Sequence, residues 1–223
     1  MSADKQEITR VERSKEAARK TYDRLSGWYD LLAGSSERKF TTIGIRKLNV
    51  QSGERVLEIG FGTGESLIEL AGHVGPKGKV YGVDISEGML EIARKKLMNR
   101  GILGRVDLQC RDAAPLPYPD DFFDAIFLSF VLELFDTPEI PRVLAECKRA
   151  LRDHGRLGVV ALARQDTLPV KIYERFHRSF PAAIDCRPIY VRESITMAGF
   201  QIQGAIERRM WGLPVEIVVA QTD

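Results

Sequence analysis

The sequence predicts an α/β fold: a seven-stranded mixed sheet with helices on both faces, one antiparallel strand near the C-terminus and a helical lid at the N-terminus. Three observations predict it. Short, nearly continuous apolar segments rich in β-branched residues alternate with helical patterns, as in parallel sheets covered on both sides. A glycine-rich junction, Glu58-Ile-Gly60-Phe-Gly62-Thr-Gly64, joins the first such segment to a helix. The last two segments are separated by six residues, too few for a crossover helix, so they run antiparallel.

Taken in order, Glu7–Lys20 and Ser36–Leu48 read as helices, with Tyr22–Asp30 between them. Strands are expected at Arg55–Gly60, Lys79–Asp84, Arg105–Cys110, Phe123–Leu128 and Arg156–Leu162. The intervening helices are expected at Thr63–His73, Ser86–Arg100 and Pro138–Leu151. In the second of these, Met89, Leu90, Ala93 and Leu97 line one apolar face. Ser86 is its expected cap and Gly101 its stop. Arg164–Phe180 reads as an inserted helix, and Phe200–Arg208 with Val215–Ala220 as the closing strand pair. Because these strands share one sheet, residues 1–223 are expected to form a single domain. Its parts are a helical cap (1–50), a core (51–163), a helical insert (164–199) and the strand pair (200–223). Cap and insert are the natural lid over the carboxyl ends of the strands, where open α/β sheets bind ligands.

Composition narrows the class. The 223 residues are 44% hydrophobic and 29% charged, which excludes a disordered or collagen-like chain. No apolar run approaches the ~18 residues that span a bilayer, and the polar N-terminus does not read as a secretory signal. Cys110, Cys147 and Cys186 show no paired spacing, and no metal-ligand motif is present, so a metal-free cytoplasmic protein is expected. Charge is uneven: residues 1–50 hold 11 basic and 7 acidic side chains, 51–163 hold 14 and 17, and 164–211 hold 8 and 5. Solvated helix faces account for such runs. The sharper reading sets both basic segments over one site facing an anionic or membrane-bound substrate.

The glycine junction gives the sheet its Rossmann-like character. A dinucleotide fingerprint, Gly-x-Gly-x-x-Gly, would need glycine where the chain has Glu65. An acid at that helix start opposes a pyrophosphate, and no Gly-Lys-Ser/Thr follows. The loop therefore suits a nucleoside without a pyrophosphate. Asp84 ends the second strand, where a carboxylate accepts from ribose hydroxyls; the competing role of helix cap is better filled by Ser86. Asp112, after the third strand, either accepts from an adenine amine or serves as a turn aspartate ahead of Pro115 and Pro117.

In this order, VLEIGFGTGESL, YGVDISEGML, RDAAPLPYPDDFFDAIFLSFVLELF and LRDHGRLGVV resemble the class I S-adenosylmethionine-dependent methyltransferases, over about residues 22–220. The resemblance implies S-adenosylmethionine as cofactor. It assigns Glu58, Gly60, Gly62 and Gly64 to the methionine part, Asp84 to the ribose, and Asp112 with Ala113 to the adenine. Ile85, Met89 and Ser129 are further cofactor contacts on this basis. The segment YDRLSGWYD, Tyr22–Asp30, is similar to the entry segment of ubiquinone/menaquinone C-methyltransferases and of bacterial phospholipid N-methyltransferases. Its Tyr22 and Tyr29 are expected to line the cofactor site.

Methyl transfer from a sulfonium is an in-line displacement, so alignment alone supplies on the order of 7–11 kcal/mol. A base is needed only where the acceptor must lose a proton. Of three histidines, His73 closes a helix, His154 lies in a turn away from the ligand loops, and His177 lies in the insert. His177 is therefore the expected histidine base. Glu133, after the fourth strand, either takes a proton or holds the acceptor, or is a solvated carboxylate. The expected acceptor is a small or lipid-like molecule, first a quinone or aromatic ring carbon and second a phospholipid amine. Basic flanks suit peripheral contact with an anionic membrane. Nucleic acid is disfavoured by pI ≈ 8.4 without a strongly basic domain. A reading of another class is a nucleoside-binding regulatory protein that transfers nothing. Oligomeric state is left open.

Overall fold

The computed structural model describes residues 35–167, 170–173, 175 and 186–223. The expected helix at 7–20 and the aromatic segment at 22–30 lie outside them. The elements are α1 Ser35–Leu48, β1 Arg55–Ile59, α2 Glu65–Val74, β2 Lys79–Asp84, α3 Glu87–Asn99, β3 Val106–Cys110, β4 Phe123–Ser129, α4 Ile140–Ala150, β5 Leu151–Leu162, α5 Val191–Met197, β6 Gln201–Met210 and β7 Leu213–Gln221. The sheet has seven strands in the order β3-β2-β1-β4-β5-β7-β6. β7 is antiparallel to both of its neighbours, and the other strands pair in parallel. The expected architecture, with one reversed strand near the C-terminus, is what forms.

Strand alternation divides the core. Val56, Val80, Phe127, Val160 and Ile217 pack with α1, α2 and α3 on one face. Leu57, Ile126, Leu128, Val159 and Val218 pack with α4 and α5 on the other. Both sets are buried, as strands sandwiched between helices require. Gly44 permits the close seating of α1: a Cβ there would stand 3.0 Å from the Phe127 ring. Since α1 leads directly into β1, its last turn lies at the amino ends of the strands and its first turn at their carboxyl ends.

Three boundaries differ from expectation. β5 begins at Leu151, not Arg156. Leu151 and Gly155 turn inward while Arg152, Asp153 and His154 face solvent. The Thr222 hydroxyl locks this stretch, accepting from Gly155 N at 3.0 Å and donating to the Arg152 carbonyl at 2.9 Å. His154 therefore sits within a strand, exposed, with φ 56. α4 starts at Ile140 with Pro141 in its first turn, beyond Pro138. The insert is not helical from Arg164, because Ala163 forms a parallel bridge with Ile189 and Arg164 N donates to the Ile189 carbonyl at 2.8 Å. The chain there still follows the sheet; helical residues appear at 170–173 and 175.

Candidate functional site

The glycine turn is built from left-handed backbone: Gly60, Gly62 and Gly64 have φ of 70, 51 and 85. Residues with a Cβ are strained there. At Gly60 an added Cβ would run into the Val131 side chain, with Val131 Cβ 2.9 Å away. This turn is therefore packed directly beneath the loop that follows β4. At Gly62 an added Cβ meets nothing within 4 Å, so that face of the turn is open. Glu65 begins α2, receives Lys96 Nζ at 2.8 Å and lies 4.0 Å from the Arg38 guanidinium of α1. The helix start that a pyrophosphate would need is thus occupied by a carboxylate and its cations.

Two carboxylates flank the turn. Glu58 is 1% exposed. The Ser66 hydroxyl donates to its Oε1, while Oε2 is buried without a hydrogen-bond partner. Burial, reinforced by nearby Asp84, pushes its pKa up to about 8. Asp84 at the tip of β2 accepts from Gly62 N and from Ser86 N, each at 2.9 Å. Ser86 caps α3 as expected, its hydroxyl accepting from Met89 N at 3.1 Å. Asp84 thus braces both the turn and the start of α3.

Beyond β2, Arg111 N donates to the Asp84 carbonyl at 2.7 Å and joins the tips of β2 and β3. Asp112 is half-buried, and its Oδ1 accepts from Ala114 N at 3.3 Å, the turn geometry that sequence left open. Ala113 and Met89 are buried and Ile85 is half-buried. The three strand tips hold all of these residues at one end of the sheet.

The tip of β4 carries a second cluster. Ser129 Oγ and Thr41 Oγ1 of α1 are 2.8 Å apart. Glu133 lies in the 3-10 turn Leu132–Leu134 and is fully buried, which corrects its reading as a solvated carboxylate. Its Oε1 accepts from Leu162 N at 3.1 Å, at the end of β5, while Oε2 has no hydrogen-bond partner. Burial raises its pKa to about 8; Glu37 adds to the rise and Arg187 opposes it. Arg187 is 1% exposed and donates to the Phe135 carbonyl at 2.6 Å. Glu37 of α1 is raised by burial to about 7. Sequence reasoning passed over Glu37 and gave no distinct place to Arg187.

The remaining expectations scatter. Tyr22, Tyr29 and His177 lie outside the described residues. His73 is exposed in the last turn of α2. Among the described residues, no helix is long and apolar enough to cross a membrane.

Residues 56–155 match the family model of a methyltransferase domain. The chain is 33% identical to the ubiquinone/menaquinone biosynthesis C-methyltransferase UbiE of Pseudomonas entomophila over 152 residues, 68% of this chain and 59% of that protein. It is 34% identical to a demethylmenaquinone methyltransferase of Lactobacillus johnsonii over 137 residues, 61% of this chain and 55% of that protein. The matches span less than two thirds of these relatives. Among solved structures, the 4+2 cyclase SpnF superposes with a TM-score of 0.75 at 19% identity, covering 96% of this chain and 99% of that one. That likeness concerns the fold alone.

Proposed function

Since the chain belongs, by the sequence of its core and by its fold, to the class I S-adenosylmethionine-dependent methyltransferases, we propose that it moves a methyl group from S-adenosylmethionine to a small or lipid-like acceptor, foremost the ring carbon of an isoprenoid quinone. The observation that carries the cofactor half is Glu58: a buried carboxyl whose Oε2 lacks a partner, beside an open glycine face. A buried polar atom left unpaired costs about 1–3 kcal/mol, and an ammonium group would satisfy it. The amino group of methionine is such a group, so the residues present fit this cofactor. When bound, S-adenosylmethionine supplies an electrophilic methyl on a cationic sulfur.

The chain's own residues do the rest. Gly60, Gly62 and Gly64 bring backbone to the methionine part, with Glu58 taking its ammonium. Asp84, which accepts from Gly62 N and Ser86 N at the tip of β2, takes the ribose hydroxyls. Asp112 and Ala113 take the adenine, Ile85 and Met89 flank the nucleoside, and Ser129 at the tip of β4 is a further cofactor contact. Tyr22 and Tyr29 are assigned to the cofactor site, and His177 of the insert receives the proton that the acceptor's reacting atom loses. The quinone reading leans on the names of the two relatives. The basic segments support peripheral contact of a cytoplasmic protein with an anionic membrane.

The test uses the full chain. Calorimetry should show binding of S-adenosylmethionine and none of NADH. Methyl-labelled cofactor, incubated with fractionated lipids, quinones and aqueous metabolites, should label the quinones. Label in phospholipid would move the acceptor to an amine. Binding with no transfer to any fraction would leave a nucleoside-binding regulatory protein.

A further inference from the structure

The cofactor-binding reading uses the tips of β1, β2 and β3 and leaves a buried polar cluster at the tips of β4 and β5. Three elements build it. Glu37 comes from the first turn of α1, Glu133 from the loop after β4, and Arg187 from the segment entering α5. Glu133 and Arg187 are 0% and 1% exposed, and Glu37 is half-buried. α1 orients its own contribution. Thr41, one turn after Glu37, meets Ser129 at the tip of β4, and Arg38 reaches toward Glu65 at the start of α2. The first turn of α1 therefore spans from the glycine turn to the loop after β4, with Glu37 near Glu133.

One oxygen in this cluster points to a ligand. Glu133 Oε2 is buried and has no hydrogen-bond partner, although Oε1 is held by Leu162 N. A carboxyl fixed by one oxygen and bare at the other is placed to meet a polar group from outside the chain.

We propose that Glu37 is the general base for the acceptor and that Glu133 is a positioning residue, a neutral carboxyl that hydrogen-bonds the acceptor's oxygen, so that the acceptor is a hydroxylated aromatic ring rather than an amine. The proposal rests on the methyltransferase reading. Arg187 supplies the discrimination against amines: a guanidinium buried in the same cluster repels an ammonium acceptor and tolerates a phenolate. Burial is what raises Glu37; Glu133 feels the charges of Glu37 and of Arg187, and Arg38 of the same helix turns toward Glu65.

The step balances as follows. Glu37 takes the ring hydroxyl proton, and the oxygen's electron pair moves into the ring. The nucleophilic ring carbon forms its bond to the methyl as the carbon–sulfur bond breaks, the pair staying on a neutral thioether. The ring carbon then loses its own proton and the oxygen regains one. The net release is one proton per methyl transferred.

Turnover of the full chain is measured with S-adenosylmethionine and a reduced naphthoquinone bearing a short prenyl tail, against phosphatidylethanolamine vesicles. Glu37→Gln should lower kcat by about 10²–10⁴-fold with cofactor affinity unchanged. Carboxyl infrared spectra of the cofactor-free protein should show a group titrating near pH 7 that Glu37→Gln removes. Glu133→Gln, which keeps a neutral hydrogen-bonding amide in place, should retain turnover and leave the pH–rate profile where it is, whereas Glu133→Ala should raise KM for the quinol; equal loss in both variants would remove the positioning role. Retained turnover in Glu37→Gln, or transfer to phosphatidylethanolamine instead of the quinol, would overturn the assignment while leaving a methyltransferase. Cofactor binding without transfer by the unmodified chain to either acceptor would overturn both.

Discussion

At the scale of single residues, the site is set by carboxylates placed where water does not reach. Asp84→Ala should weaken S-adenosylmethionine binding by about 1.5–3 kcal/mol, the worth of a charge-assisted hydrogen bond, and unchanged affinity by calorimetry would remove its ribose role. The structure adds a second effect: Gly62 N and Ser86 N lose their acceptor, so urea stability should fall as well. Glu58 gives a pH prediction. Its folded pKa, about 8, lies above the ordinary 4.5. As pH rises between these values the unfolded chain loses the proton first, so stability falls, by up to about 1.4 kcal/mol per pH unit for one such group. Glu133 acts with the same sign. The urea midpoint should thus drop from pH 5 to pH 8, and Glu58→Gln should flatten the slope. The glycines and Asp84 were legible in sequence because their spacing carries their chemistry. Glu37 was not, because the run Ser36-Glu37-Arg38-Lys39 reads as a solvated turn. A signal did exist: Glu37 shares a helix face with Thr41, Gly44 and Leu48, which makes it a carboxylate on an inward stripe.

At the scale of elements, caps and strand runs were readable because they are local. Ser86 illustrates this. Ser86→Ala removes the acceptor for Met89 N, and should cost about 1 kcal/mol in chemical denaturation while leaving the far-ultraviolet helix signal intact. The misread elements share one cause: long-range pairing overruled local pattern. The charged stretch Arg152-Asp153-His154 reads as a turn, yet Thr222, some seventy residues away, ties it into β5. Arg164 begins what reads as a helix, yet pairing with Ile189 keeps it extended. Neither partner is visible in a window of ten residues.

At the scale of the whole molecule, the seven strands bury two apolar layers and bring the tips of β1 to β5 to one end. We expect removal of residues 1–30 to reduce turnover far more than urea stability or cofactor affinity; full activity in the truncated chain would show that the entry segment does not cover the site. The reversed strand was legible because a connection too short for a crossover helix forces antiparallel pairing, and the structure shortens it further, to the residues between Met210 and Leu213. The convergence of α1 on both clusters was not, because it depends on where a helix docks. That docking has a thermodynamic consequence. One rigid turn touches Glu65 on the donor side through Arg38 and stands beside Glu133 on the other through Glu37. A shift of the helix that suits one ligand therefore changes the seat of the other. Linkage then demands reciprocity: whatever factor S-adenosylhomocysteine adds to acceptor affinity, the acceptor must return to it. The two ligands should bind in a preferred order, as members of a single coupled equilibrium.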